Sequence, residues 1–206
     1  MLLDAPVPDP GPPGPYGTIA WLRATVSRFA NGETHARRRA LVEALLADLD
    51  PAELRESARR ESKVDRALPD EPCFRRAYIP VTVLAQALGI AAEDVPDAVA
   101  ATRLVAAAYH PHTRADGADA ALRTLLDLLP DEEPEAVAAR VQLLVQACEA
   151  TAGLVRGDDL PVPVTRRVNE DGETVLVDLT GRPFGAGSRR CPGEAHARAL
   201  VEGVTG

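Results

Sequence analysis

The stretch from Glu135 to Val155 constrains this chain most. Val137, Val141, Leu144, Val145, Cys148, Ala152 and Val155 recur at a spacing that keeps one helix face apolar, for about five to six turns at 3.6 residues per turn. A helix so long and so apolar belongs at the centre of a fold. Composition agrees: hydrophobic residues make up 46% of the 206 residues but aromatic ones only 3%. Ala, Leu and Arg, all abundant, favour helix over strand. We therefore expect a mainly α protein, with one compact domain over residues 18–206 as the default for this length. Residues 1–17, rich in Pro and Gly, read as a flexible or extended tail. They lack a basic n-region and an apolar run long enough for a signal peptide or membrane span.

A net charge of -8 and a pI near 5.1 oppose a nucleic-acid role, which requires a basic surplus. Cys73, Cys148 and Cys191 cannot all pair, and none lies in a C-x-x-C clip. Reduced thiols in a cytoplasmic setting fit best.

Several shorter elements surround the central helix. Asn31-Gly32-Glu33-Thr34 is a turn and capping sequence, followed from His35 to about Ala47 by Leu41, Val42, Leu45 and Leu46 at helical spacing. His35 and Arg39 share a face four residues apart. Cations at a helix N-terminus oppose the macrodipole, and an anionic partner would relieve the conflict; a solvated basic face is the ordinary alternative. Asp50, Pro51 and Glu53 open a polar helix reaching about Val64. A break follows at Pro69 to Pro72. Tyr78-Ile79-Pro80 leads into Val81 to Leu88, closed by Gly89.

Val95 to Tyr109 is helical and ends at His110-Pro111-His112, where no carboxylate or cysteine at ligand spacing supports a metal reading. Asp119 to Leu129 is amphipathic. Val164 to Val168 and Thr174 to Leu179 form a hairpin around Asp171-Gly172.

The segment Phe184-Gly185-Ala186-Gly187-Ser188-Arg189-Arg190-Cys191-Pro192-Gly193 carries the chemistry. Gly185, Gly187 and Gly193 allow tight or positive-φ turns and close approach of a flat ligand. Arg189, Arg190 and a helix beginning near Gly193 would lower the thiol pKa. A thiolate beneath a planar group is what haem iron requires; an ordinary loop with an inert cysteine is the competing reading.

These ten residues resemble the haem-binding cysteine loop of cytochromes P-450, F-G-x-G-x-R-x-C-x-G, at every fixed position. The resemblance implies a reduced P-450-like helical fold with a small β-hairpin before the loop. It implies haem b, with Cys191 as iron ligand, Phe184, Gly187 and Gly193 shaping its site, and Arg189 holding a propionate. Asn31 to Arg39 resembles the start of the family's C helix, which makes His35 and Arg39 candidates for the haem propionates. Ile79 to Pro96 is similar to the segment before the F helix. The strand after the K helix maps the family's propionate arginine to Arg166, with Arg167 as the one-residue-shift alternative on the opposite face. Leu143 to Thr151 resembles the I helix, whose acid matches Glu149.

The chain also departs from the pattern. Ala150 stands where a threonine follows the acid, and Thr151 comes one position later. The family usually has around twice this length, and the stretch between Val155 and Val164 is too short for a K helix with its E-x-x-R pair. A homo-oligomer or a completing partner subunit would then cover the opened pocket.

The resemblance implies a haem-thiolate oxidoreductase, a monooxygenase or peroxide-using oxygenase on a small organic substrate, with Glu149 and Thr151 as proton relays. Its electrons would come from a redox partner protein or be replaced by peroxide. Two alternatives stand beside it: non-redox haem chemistry of the dehydratase or isomerase type, and a non-catalytic haem-binding accessory or sensor protein.

Overall fold

The computed structural model describes residues 2–66 and 76–206. The expected break at Pro69 to Pro72 and Cys73 lie outside them. A 3-10 turn at Leu2–Asp4 precedes α1 (Ile19–Thr25), α2 (Gly32–Ala47), α3 (Pro51–Arg66), α4 (Ile79–Ala87), α5 (Val95–Ala108), α6 (Ala118–Leu128) and α7 (Pro134–Arg156). The strands β1 (Val164–Val168) and β2 (Thr174–Asp178) follow, then a 3-10 turn at Gly187–Arg189 and α8 (Glu194–Thr205). The strands pair antiparallel, with Arg166 opposite Leu176 and Arg167 opposite Val175. The architecture is the mainly α one expected.

The long apolar stripe sits where its length predicts. α7 packs against α1, α2, α4, α5, α6 and α8, and Val141, Leu144, Cys148 and Ala152 are completely buried. Leu22 of α1, Val81 of α4, Val105 of α5 and Leu122 of α6 join them in one continuous core. Leu122 has no exposed surface, so Leu122→Ala should cost ~2–5 kcal/mol by lost burial plus the cavity left behind. Denaturant unfolding would show it as a lower midpoint with an unchanged slope.

A second cluster joins Leu54 and Ala58 of α3, Ile79 and Val83 of α4, and Leu200 and Val204 of α8. Asp50 starts α3 as expected, its Oδ1 accepting from the Ala52 N–H at 2.8 Å. α2 is held to α8 by His196, whose Nε2 lies 2.9 Å from Leu46 O and 3.0 Å from Leu49 O. Carbonyl oxygens only accept, so the proton is on Nε2.

The first residues dock on the fold. Leu3 and Val7 are buried, the Val168 N–H donates to Pro6 O at 2.8 Å, and Arg167 Nε donates to Leu3 O at 3.1 Å. α1 has no counterpart in the sequence reading. Thr18 caps it, its Oγ1 accepting from the Trp21 N–H. Among the described residues no helix is long and apolar enough to cross a membrane.

Candidate functional site

The cysteine loop is a tight, self-bonded turn. Gly185 (φ 72°) and Gly187 (φ 68°) occupy the left-handed region that glycine tolerates. Gly187 also lies against Asp4: an added Cβ would come within 2.7 Å of its Cγ. Asp4 Oδ1 accepts from the Ser188 N–H at 2.9 Å and its hydroxyl at 3.1 Å, and these bonds hold the Asp4 carboxyl below its ordinary range. The Cys191 N–H closes the loop on Phe184 O at 2.8 Å. The Phe184 ring lies 5.0 Å from the Arg198 guanidinium. Gly193 has φ −90°, so the expected positive-φ role does not hold there. A Cβ on it would make ordinary contacts, 3.7 Å from Leu46 and 4.0 Å from Cys191 Sγ.

The thiol itself overturns one expectation. Its pKa is raised above the ordinary value because desolvation outweighs the Gly193 N–H bond and the charges of Arg39 and Arg190. Arg189 is turned away from it, its Nη2 donating to Ala30 O (2.9 Å) and Asn31 Oδ1 (2.7 Å). Arg190 is tied to Glu194 at 2.6 Å. Left to itself, Cys191 is a protonated thiol at neutral pH. It opens on a groove lined by Arg39, Arg190, Pro192, Glu194, Ala195 and Arg198.

Three residues matched to the propionate positions come within electrostatic reach of one another. His35 is held below its ordinary pKa, chiefly by burial and then by Arg189 and Arg39. Arg39 donates to Glu43 at 2.7 Å and to Arg190 O at 2.8 Å, tying α2 to the loop. Arg166 is not in this group, since its Nη1 lies 3.1 Å from His112 Nε2. On the other face of β1, the buried Arg167 is pushed down to about 10 by burial, Arg28 and Arg189.

Arg28 was missed by the sequence reading. No carboxylate pairs with it among the described residues, and its one hydrogen bond runs to Thr165 Oγ1 at 3.3 Å. Its environment comes from three distant segments, so no local spacing could reveal it. Asn31 was legible only as a cap; its amide instead brackets Val7, accepting from its N–H at 2.9 Å and donating to its carbonyl at 3.0 Å. Arg37 and Arg38 both bond Glu135. Arg38 also donates to Ala24 O at 2.6 Å, so only part of the basic face of α2 is solvated.

On α7, Glu149 and Thr151 do not converge. Two residues span about 200° of helix: Glu149 is exposed, whereas Thr151 is 1% exposed and donates its hydroxyl to Ala147 O at 2.8 Å. Glu149 Oε1 instead accepts from Tyr78 Oη at 2.9 Å. Burial and this carboxylate raise the Tyr78 pKa. The Arg103 guanidinium lies 4.7 Å from the centre of the Tyr78 ring.

His110 gives the fold a pH-dependent stability. It titrates at about 4, through burial first and then the charges of Arg28, His112, Arg166 and Arg23. The unfolded chain takes that proton near 6.5, so stability is untouched above that pH. It falls progressively from there to about pH 4, by up to ~3 kcal/mol. His110→Gln should remove that part of the acid slope; thermal unfolding of both proteins across this range checks it.

No family model and no curated sequence matches the chain. Solved structures do. P450BioI, in complex with an acyl carrier protein ligated to hexadec-9Z-enoic acid, superposes with a TM-score of 0.68 at 14% identity, over 98% of this chain and 79% of that one. CYP164A2 of Mycobacterium smegmatis in its ligand-free state superposes with a TM-score of 0.66 at 20% identity, over 91% of this chain and 75% of that one. The helical core around α7 and the hairpin before the cysteine loop thus have the arrangement of these proteins, and the chain has a cytochrome P450-like fold.

Proposed function

We propose that the chain is a haem-thiolate oxidoreductase, a monooxygenase or peroxide-using oxygenase acting on a small organic molecule. One observation carries the reading: the complete cysteine loop lies beside His35, Arg39 and Arg189, drawn together from α2 and the loop. The donor set fits an iron porphyrin. Cys191 offers one sulfur on a glycine-shaped turn, while Arg167 and Arg189 have no carboxylate partner among the described residues. Asp4 is the acid whose charge reaches Arg167, and the positive charges outnumber it, a field suited to two propionates.

Haem would be held by Cys191, with His35, Arg39 and Arg189 at the propionates. The coupling of Arg167 to Arg189 supports it over Arg166 for the fourth position. When bound, haem supplies a redox-active iron made electron-rich by the thiolate. The chain's own residues then orient and protonate. Tyr78 holds a proton on Oη, in line with Glu149 Oε1, and Glu149 opens that bond to solvent. Thr151 spends its hydroxyl on the helix backbone, and Ala150 offers none. That pair of facts favours peroxide over dioxygen within this reading and makes non-redox haem chemistry the second one; product analysis with peroxide, with a reductase system and with neither separates them.

The exposed Arg190 and Arg198, beside the loop, mark the surface we assign to a protein partner; P450BioI, captured with a carrier protein, is the precedent. Exposed Val164 and Leu176 on the hairpin and Val162 just before it support a homo-oligomer or a completing subunit, which sedimentation of the haem-loaded protein tests. For the central claim the test is haem titration of the purified chain. One equivalent should bind and its reduced carbonyl complex should show the thiolate signature; absence of stoichiometric uptake sinks the reading.

A further inference from the structure

Across the hairpin from the cysteine loop, His110, His112 and Arg166 meet within the field of Arg28, with no ion-pair partner among the described residues. Arg23 fixes the loop after α5, donating to the carbonyls of Ala108 (2.6 Å), Tyr109 (3.0 Å), His110 (2.6 Å) and Thr113 (3.1 Å). That loop presents His110 and His112 with their rings stacked, centroids 5.5 Å apart. Arg166 reaches in from β1. A guanidinium only donates, so His112 Nε2 accepts and its proton sits on Nδ1, free to bond a ligand. Arg28 closes the far side, 5.7 Å from the Phe29 ring centre. Phe29 and Tyr109 form an apolar wall, rings 5.1 Å apart.

Carboxylates are plentiful elsewhere. The chain has 31 Asp and Glu against 23 Lys and Arg, and Arg37, Arg38, Arg39, Arg140, Arg190 and Arg198 all have acidic partners. Among the described residues, none of Arg28, Arg166, His110 and His112 forms an ion pair. The charges that lower the His110 pKa most are those of Arg28, His112, Arg166 and Arg23. A surplus of acid that leaves this patch alone points to an anion supplied from outside.

We propose that His110, His112 and Arg166 form a binding site for a small soluble oxyanion, a carboxylate or phosphate, on the face of β1 opposite Arg167. The alternation of β1 turns the two arginines to opposite faces: Arg167 shares the field of Arg189 and Arg166 that of His112 and His110, while Arg28, bonded to Thr165 on the Arg167 face, acts on both. The forked donors of Arg166 match a carboxylate or phosphate edge. His112 is exposed and gives the anion a way in.

The test uses the full chain, haem-free and haem-loaded, titrated with inorganic phosphate and with acetate at constant ionic strength. Imidazole proton resonances of His110 and His112 and calorimetry report binding. Saturable shifts are expected in both forms. Arg166→Gln or His112→Asn should weaken them about tenfold, as loss of a charge-assisted hydrogen bond does, and Arg123→Gln, on an exposed helix face, should leave them unchanged. Both test positions lie on the hairpin and a surface loop, so the variants keep the folded core, which circular dichroism verifies.

Three results overturn the proposal. One is no saturable binding in either form. Another is equal binding by Arg166→Gln. The third is binding by the haem-free form alone, with phosphate competing against haem uptake; the cations would then serve the propionates. If haem never binds, the phosphate titration of the haem-free chain still decides, and only the haem reading falls.

Discussion

Cys191→Ser is expected to remove thiolate ligation completely while leaving the fold in place. The bond that fixes the loop runs from the Cys191 backbone N–H to Phe184 O, which serine keeps. The residue is exposed, so the substitution should cost no more than about 0.5 kcal/mol of stability. What is lost is the sulfur. A serine hydroxyl does not ionise near neutral pH, so no anionic electron-rich ligand replaces it. The raised pKa of Cys191 sharpens the point: the loop does not keep a standing thiolate, and the metal must displace the proton on binding.

The reduced carbonyl spectrum should therefore lose its thiolate signature while far-ultraviolet circular dichroism is unchanged. Cys148→Ser is the internal comparison. That thiol is wholly buried and pushed up to about 12 by burial and Glu149, so its replacement should leave the signature intact. Survival of the signature in Cys191→Ser, or its loss in Cys148→Ser, would put the iron ligand elsewhere.

How much of this could be read from the sequence depends on how local each cause is. α7 runs Pro134–Arg156, close to its expected bounds, because its periodicity is a property of the segment alone. The same holds for the hairpin and for Gly89, whose φ of 98° is that of a helix-ending glycine. α1, at seven residues, is too short to display a period. Its helix rests on the Thr18 cap and on burial of Leu22 in a core assembled from distant segments.

The site divides in the same way. Cys191, His35, Arg39 and Arg189 were legible because each belongs to a spaced local pattern. Tyr78 as the partner of Glu149, Arg28 beside Arg167, and the direction of the cysteine pKa were not. Each depends on which side chains the fold brings together: desolvation by neighbouring residues outweighs the arginines that a linear reading places beside the sulfur.

Gly203→Val is expected to cost stability and haem retention together. α3 and α8 cross so closely at this glycine that a Cβ would run into the Arg55 carbonyl oxygen and lie 2.8 Å from Ala58 Cβ. The first obstacle is backbone, so no side-chain rotation relieves it, and the helices must separate. Overpacking in a core costs ~1–3 kcal/mol and sometimes more; here the upper end applies, because the second cluster, Leu54, Ala58, Leu200 and Val204, opens along with the crossing. Two bonds at the same junction go with it, from Ser62 Oγ (3.2 Å) and Arg76 Nη2 (2.7 Å) to Val204 O.

At about 2–4 °C per kcal/mol for a chain of this size, Gly203→Val should melt roughly 6–12 °C below wild type. Gly203→Ala should fall between, and the surface substitution Glu202→Ala should stay within about 2 °C. The damage should also reach the cysteine loop. α8 begins at Glu194, directly after the loop, and His196 joins it to α2 through Leu46 and Leu49. A displaced α8 pulls on both the sulfur and the His35–Arg39 face, so haem should dissociate faster from Gly203→Val than from Glu202→Ala at a temperature where both remain folded. Melting at the wild-type temperature would mean that α3 and α8 do not cross this closely; a loss of stability with unchanged haem retention would mean that the crossing does not brace the loop.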